Sequence, residues 1–273
     1  MFDAVIWTNI LLGVVQGLTE FLPISSSGHL ILAREVFGVV GEYDLAFDAL
    51  LHFATALAIV AYFWRDILKL LAAATKLPET ILKKAELTEN QTMVVALIAG
   101  TVPAVILGLL LEDLISTAFR NPLLIAATLV FGSVIMYLAE KYQGRSLLAN
   151  SKFRGGWKQG LIIGLFQSLA LIPGTSRSGM TISAGLLFGM ERFAAARFGF
   201  LLGVPLLLGA GAKKALEIGL GEITVVMAAG VAAAFVVALL VIHFLLKFLR
   251  NHTLHIFIIY RFVLAFGIII LFL

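Results

Sequence analysis

Gly13-Val-Val-Gln-Gly-Leu-Thr-Glu-Phe-Leu-Pro-Ile-Ser-Ser-Ser-Gly-His29, read together with Gly164-Leu-Phe-Gln-Ser-Leu-Ala-Leu-Ile-Pro-Gly-Thr-Ser-Arg-Ser-Gly179, decides how this chain folds. Both stretches sit inside otherwise apolar sequence. Hydrocarbon penalises unpaired polar groups. A carboxylate, an imidazole, a guanidinium and a run of hydroxyls and amides therefore gather at membrane depth only where a polar ligand or water receives them. Each stretch runs from Gly-rich apolar sequence through Gln or Glu to a Pro and a Ser-rich turn ending in Ser-Gly. Duplicated broken segments of this kind point to one site, built at the midplane from two halves.

The surrounding composition sets the medium. Of 273 residues, 61% are hydrophobic and 13% charged, and the mean hydropathy is +1.05. A soluble domain averages about 45–50% apolar and about 25% charged, so the chain reads as an integral membrane protein. It has no cysteine, which excludes disulfides and thiolate chemistry. The net charge of +4 and the pI near 9.4 fit loop asymmetry in a membrane protein, and no nucleic-acid partner is expected. No basic leader precedes the first apolar run at Met1-Phe2-Asp3, so a cleaved signal peptide is not expected.

Six apolar stretches are long enough to cross: Leu45 to Trp64, Val94 to Leu111, Pro122 to Ala139, Phe198 to Ala212 (extended past Lys213), Thr224 to Phe244 and Leu254 to Leu273. A spanning helix needs about 17–25 residues at about 1.5 Å each. Four further pieces are too short: Ala4 to Val15 and Ser26 to Phe37 around the first polar segment, and Leu161 to Ile172 and Ser178 to Met190 around the second. About 12 residues reach only about 18 Å, against a hydrocarbon core of about 30 Å. Each pair is therefore expected to form a re-entrant hairpin with its polar tip in the membrane. One kinked spanning helix per pair is the alternative. Pro23 and Pro173-Gly174, breakers followed by polar residues, weigh against it.

The expected fold is an all-α integral membrane protein of six transmembrane helices plus two re-entrant helical hairpins. It forms a single membrane domain over residues 1–273, with pseudo-repeat halves of about 1–141 and 142–273. After each hairpin comes a similar line: Phe47-Asp-Ala-Leu-Leu-His-Phe-Ala-Thr-Ala-Leu-Ala58 against Phe198-Gly-Phe-Leu-Leu-Gly-Val-Pro-Leu-Leu-Leu-Gly209. One hairpin plus three crossings per half makes the second half enter with opposite orientation, an inverted-topology repeat. Charge supports this arrangement. Arg65, Lys69, Lys76, Lys83, Lys84, Lys141, Arg145, Lys152, Arg154, Lys158, Arg192, Arg197, Lys247 and Arg250 fall on one face. Only Arg34, Arg120, Lys213 and Lys214 fall on the other. The positive-inside rule puts the first face in the cytoplasm and both termini outside it. The longest loop, Arg65 to Gln91, has room for a short surface helix plus turns. Its charges read as a solvated face, and no amphipathic surface helix is required.

Glu20 is a bare carboxylate expected deep in the membrane. It suits a divalent cation, a basic partner or acid–base work. Gln16 lies four residues earlier, on the same helix face, as a second oxygen ligand, a clamp on Glu20 or a partner for freed backbone. Ser25, Ser26, Ser27 and Gly28 follow Pro23 and open a helix, where hydroxyls, free N–H groups and the positive dipole end suit a phosphate. Simple capping by one serine is the plainer reading. His29, within a turn of Ser26, is a candidate base, acid or nucleophile. In the second hairpin Thr175, Ser176, Ser178 and Thr181 add donors. Arg177 adds an always-charged planar fork suited to phosphate. If the repeats face each other, these are the parts of a phosphoryl-transfer site. Asp48 and His52, four apart on the first crossing, read as outer support or the edge of a portal. Glu140 and Arg261 are expected near the membrane edges, snorkelled or paired.

Gln16-Gly-Leu-Thr-Glu20, Pro23 to His29 as Pro-x-Ser-Ser-x-Gly-His, and Pro173-Gly-Thr-Ser-Arg-Ser-Gly-Met-Thr181, in a chain near 270 residues, resemble the bacitracin-resistance type of undecaprenyl-pyrophosphate phosphatase. The likeness runs over essentially the whole chain. It implies removal of the terminal phosphate from undecaprenyl pyrophosphate at the outer, periplasmic face of the bacterial inner membrane, which recycles the carrier for peptidoglycan synthesis. It implies dependence on a divalent cation (Mg2+ or Ca2+), with Glu20 essential and Gln16 assisting as metal ligands. It also implies Arg177 on the pyrophosphate, with Ser26 and His29 in the reaction. Ser26 is the favoured nucleophile, with His29 shuttling the proton and Arg177 and a metal neutralising charge; attack by His29 stays open. Gln16 stands where some members carry Glu, which removes one carboxylate from the expected metal site.

Two other classes share parts of this pattern. The type-2 phosphatidic-acid phosphatases share a Ser-Gly-His like Ser27-Gly28-His29. Ser183, however, stands where their pattern needs His, so the likeness reads as convergent. A polyprenyl-phosphate transporter or flippase would use the same inverted-repeat architecture, but it needs no nucleophile beside a histidine. Gly-rich faces such as Gly203 to Gly211 suit a homodimer or neighbouring helices alike.

Overall fold

The computed structural model describes residues 2–37, 44–111, 121–143, 156–218 and 224–273; Arg120, Arg145, Lys152 and Arg154 lie outside them. The described residues form helices and contain no strand. In chain order these are α1 (Phe2–Thr19), α2 (Ser26–Phe37), α3 (Asp44–Tyr62), α4 (Trp64–Leu82), α5 (Glu89–Leu110) and α6 (Pro122–Tyr142). They are followed by α7 (Gly156–Leu169), α8 (Arg177–Leu187), α9 (Arg192–Ile218), α10 (Val225–Phe248) and α11 (His255–Phe272). Helices α5, α6, α9, α10 and α11 are each long and apolar enough to cross a membrane, and α3 with α4 forms a sixth, bent candidate. The chain is a multi-pass, all-α membrane protein.

The short helices fall where composition placed them, with shifted ends. Helix α2 has the expected bounds, whereas α1 continues past Val15 through Gln16 to Thr19. Both tips turn at the same device. Ser25 and Ser176 hold φ of 76° and 74°, and each serine precedes a helix start. Ser25 Oγ accepts from Gly28 N at 3.4 Å and Ser176 Oγ from Gly179 N at 3.2 Å. A non-glycine residue held at positive φ costs about 1–3 kcal/mol and persists only where the surroundings over-determine it. Here the same backbone turn occurs in both hairpins.

One element departs from the sequence reading. Residues after Phe63 form a full helix of 19 residues, α4, with no buried residue, bent 82° from α3. After Trp64 the continuous apolar run gives way to apolar positions three and four apart, a pattern that suits an amphipathic surface helix. A capping box then restarts the chain: Thr88 Oγ1 accepts from Gln91 N at 3.3 Å, and Gln91 Oε1 from Thr88 N at 3.0 Å.

The hairpins pack across the halves. Helix α1 lies against α10 and α7 against α5, each at a crossing of small residues. A Cβ on Gly13 would come within 2.1 Å of Gly230 O, and one on Gly164 within 2.1 Å of Gly100 O. Without a hydrophobic drive between helices in lipid, such close backbone approach is what holds them together. At the end of the bundle carrying the basic loops, Glu140 is buried. It accepts from Arg192 Nε at 2.9 Å and from Leu254 N at 2.8 Å, so the pairing expected for it links α6, α9 and the start of α11.

Candidate active site

The two tips meet. Gly174 N donates to Ser25 Oγ at 3.1 Å, and Ser178 Oγ to Leu22 O at 3.1 Å. The repeat therefore puts Ser26 and Arg177 in matching positions, each the first residue of a helix following a positive-φ serine. Between them stands Glu20, 5% exposed. Its Oε2 accepts from Ser26 Oγ at 2.6 Å and from Gln16 Nε2 at 2.9 Å, and its Oε1 from Arg177 Nη2 at 3.0 Å. The carboxylate and guanidinium thus neutralise each other inside the bundle. Glu20, Ser26 and Arg177, separated by up to 157 positions in sequence, form one constellation.

The geometry redistributes the remaining hydroxyls. Thr175 Oγ1 donates to Leu169 O and Ile172 O at 2.9 and 2.7 Å, closing its own tip. Ser176 caps α8, with Ser178 Oγ 3.2 Å away. Thr181 Oγ1 donates to Arg177 O at 3.0 Å. Ser27 Oγ lies 3.4 Å from Ser25 Oγ. These contacts each close their own tip, while Ser26 presents its hydroxyl to a carboxylate.

His29 does not meet Ser26 through any of these contacts. Its Nδ1 lies 2.7 Å from Ser25 O, and its Nε2 2.7 Å from Tyr260 Oη. A carbonyl only accepts, so Nδ1 is the donor. The neutral ring then accepts from Tyr260 at Nε2. The two rings stack with centroids 5.7 Å apart. The imidazole beside Glu20 is instead His52: its Nδ1 is 3.1 Å from Glu20 Oε2 and 2.9 Å from Gln16 Nε2. Asp48, the other member of that pair, forms an ion pair with Arg34.

Arg261, expected snorkelled or paired, does not snorkel: it is paired and 0% exposed. Its Nε donates to Ser133 Oγ at 2.9 Å and Nη1 to Pro23 O at 3.3 Å. Its Nη2 reaches Leu129 O, Gly174 O and Thr175 O at 3.0, 3.0 and 3.2 Å. One guanidinium thus gathers carbonyls from both tips, and its five acceptors are neutral oxygens. An apolar helix carrying a lone Arg was the available signal, because an intramembrane charge faces the bundle interior. Tyr260 gave no signal of its own beyond adjacency.

Two features suit an anionic ligand. Arg177 Nε and Nη1 are buried without a hydrogen-bond partner, and the first N–H groups of α2 and α8 lack helical acceptors by geometry. A Cβ on Gly203 would sit 1.2 Å from Arg177 Nη1, so a glycine there makes room for the guanidinium. For a divalent cation, the described residues contain no group of three or more His, Cys, Asp or Glu able to hold one. Mg2+, however, is usually held by one or two carboxylates together with substrate phosphates and water. Gln16 Oε1 is buried without a partner, and Glu20 Oε1, which accepts from Arg177 Nη2, keeps a second lone pair. The pair fits an ion shared with a phosphate ligand.

A family model described as bacitracin resistance protein BacA matches residues 9–267. The chain is 40% identical over 264 residues to a protein of Desulforudis audaxviator (strain MP104C), covering 96% of each. It is 43% identical over 258 residues to one of Moorella thermoacetica (strain ATCC 39073 / JCM 9320), covering 94% of each. It is 40% identical over 262 residues to one of Rubrobacter xylanophilus, again covering 94% of each. All three relatives are named undecaprenyl-diphosphatase.

Proposed function

Because the chain belongs to the bacitracin resistance protein BacA family, we propose that it is an undecaprenyl-diphosphatase, hydrolysing undecaprenyl pyrophosphate to undecaprenyl phosphate and inorganic phosphate. The observation that carries the chemistry is Ser26 Oγ at 2.6 Å from a buried Glu20 that also faces Arg177. Ser26 Oγ attacks the terminal phosphorus while its proton passes to Glu20. The bond from that phosphorus to the bridging oxygen breaks, and undecaprenyl phosphate leaves. Water then attacks the phosphoserine phosphorus, the bond to Ser26 Oγ breaks as Glu20 returns its proton to that oxygen, and phosphate is released. The unpartnered N–H groups of Arg177 receive the phosphoryl oxygens as charge builds.

Glu20, rather than His29, takes the Ser26 proton in this reading, because His29 is engaged by Ser25 and Tyr260. Gln16 and Glu20 would hold a divalent cation, Mg2+ or Ca2+, whose chemistry is to neutralise phosphate charge. The cluster of Lys and Arg on one set of loops supports an inner-membrane protein whose site opens to the periplasmic side. Hydrolysis there recycles the carrier for peptidoglycan synthesis.

The test is phosphate release from undecaprenyl pyrophosphate by purified protein in detergent, with and without EDTA, beside Ser26→Ala, Glu20→Ala and Arg177→Ala. Release that needs a metal and is lost in all three variants is the expected outcome. Near-normal turnover by Ser26→Ala removes it as nucleophile. No release by folded wild type with any divalent metal returns the chain to the transporter reading, since transport needs a sealed bilayer and hydrolysis does not.

A further inference from the structure

Helix α4 takes no part in that chemistry, yet it has three distinct faces. Ile67, Leu70, Ala73, Ala74 and Leu77 are partly buried, on the side packed toward α5. Trp64, Leu68, Leu71, Pro78 and Leu82 recur at helical spacing along a second face and are exposed; among them Leu71 is 58% and Leu82 83% exposed. Beside them runs a third face with Arg65, Lys69, Lys76 and Lys83, also exposed. The acids of the helix are paired: Asp66 with Arg197 at 3.0 Å, and Glu79 with Lys83 at 2.5 Å. The outward field of α4 is therefore positive.

Its placement argues for a lipid surface. Helix α4 leaves α3 at 82°, so if α3 crosses the bilayer, α4 runs close to its plane. It begins at a tryptophan whose ring carries Arg65 at 5.3 Å. At the ends of α6 and α7 on the same side, Lys141 stands 5.9 Å from the Tyr142 ring and Lys158 5.7 Å from the Trp157 ring. Aromatic side chains of this kind mark the headgroup level. A helix with an apolar face and a basic face at that level is a fit for anionic lipid.

We propose that α4 is a membrane-surface anchor: Trp64, Leu68, Leu71 and Leu82 enter the acyl boundary, and Lys69 and Lys76 bind the phosphates of anionic phospholipids. The inference rests on the multi-pass topology and is independent of the phosphatase reading.

The chain lacks cysteine, so single labels are simple to place. Leu71→Cys and, separately, Lys76→Cys would carry an environment-sensitive fluorophore in vesicles of phosphatidylcholine with or without phosphatidylglycerol. The label at 71 is expected to be quenched by a nitroxide on the lipid headgroup and shielded from aqueous iodide, and the label at 76 to be open to iodide. Equal iodide access at both sites overturns the proposal. So does shielding at 71 that the lipid-borne quencher cannot reach, since a protein surface then covers α4. In a second measurement, spin-labelled phosphatidylglycerol is expected to be retained several-fold over phosphatidylcholine. That preference should vanish in Lys69→Gln/Lys76→Gln, with the unfolding temperature and detergent hydrolysis unchanged. A preference that survives these substitutions overturns the headgroup assignment.

Discussion

At the scale of single residues, the site separates one hydroxyl that faces a carboxylate from many that close the backbone turns. Ser26 faces Glu20, while Ser25, Ser178 and Thr175 hold the tips together. Ser26→Ala is expected to lower kcat by more than about 10³-fold, as loss of a nucleophile does. Arg177→Ala should cost about 10²–10³-fold, the scale of a lost oxyanion donor; both are read by phosphate release. His52 touches Glu20 from α3. A hydrogen bond to a charged group contributes about 1.5–3 kcal/mol, so His52→Ala should slow turnover roughly ten- to hundredfold. An unchanged rate in that variant would place His52 outside the machinery.

At the scale of elements, glycines decide how close helices come, and two of them have different consequences. At Gly164 an added Cβ meets the backbone of Gly100, which cannot move aside. Gly164→Ala should cost about 1–3 kcal/mol of stability by overpacking, read as a lower unfolding temperature in detergent. At Gly203 the added Cβ meets the far end of Arg177, a flexible side chain. Gly203→Ala should therefore displace the guanidinium rather than a helix, and its loss of stability should follow that of Arg177→Ala, through the unpaired Glu20. Its hydrolysis should fall toward that of Arg177→Ala as well, which stability and kinetic assays check together. The helices themselves were legible in the chain because apolar length and breakers are local. Helix α4 was the exception: its charges look like a loop until the three-and-four spacing of its apolar residues is followed.

At the scale of the whole molecule, Arg261 joins what the repeat divides. It binds Pro23 O from one tip, and Gly174 O and Thr175 O from the other. Arg261→Met would leave these buried carbonyls unpaired, at about 1–3 kcal/mol each. The expected result is a large drop in unfolding temperature, with Arg261→Lys intermediate because it keeps the charge without the planar fork. Its partners were not legible in sequence. It lies six residues into α11, about 9 Å along the axis, and only the tertiary structure brings the carbonyls of two hairpin tips to it.

The sequence by itself determined the medium, the broken segments and the residues able to do chemistry, because hydropathy, breakers and residue type act over one or two turns of chain. Gln16, Glu20, Ser26 and Arg177 could be named that way, and they do converge. Only the tertiary structure decided their partners. Glu20 rather than His29 meets Ser26, His52 joins Glu20, and Tyr260 and Arg261 reach back from the last helix. Those choices depend on distances between segments remote in the chain. A hydroxyl or an imidazole has the same local signature whether it ends beside a reacting group or a backbone carbonyl.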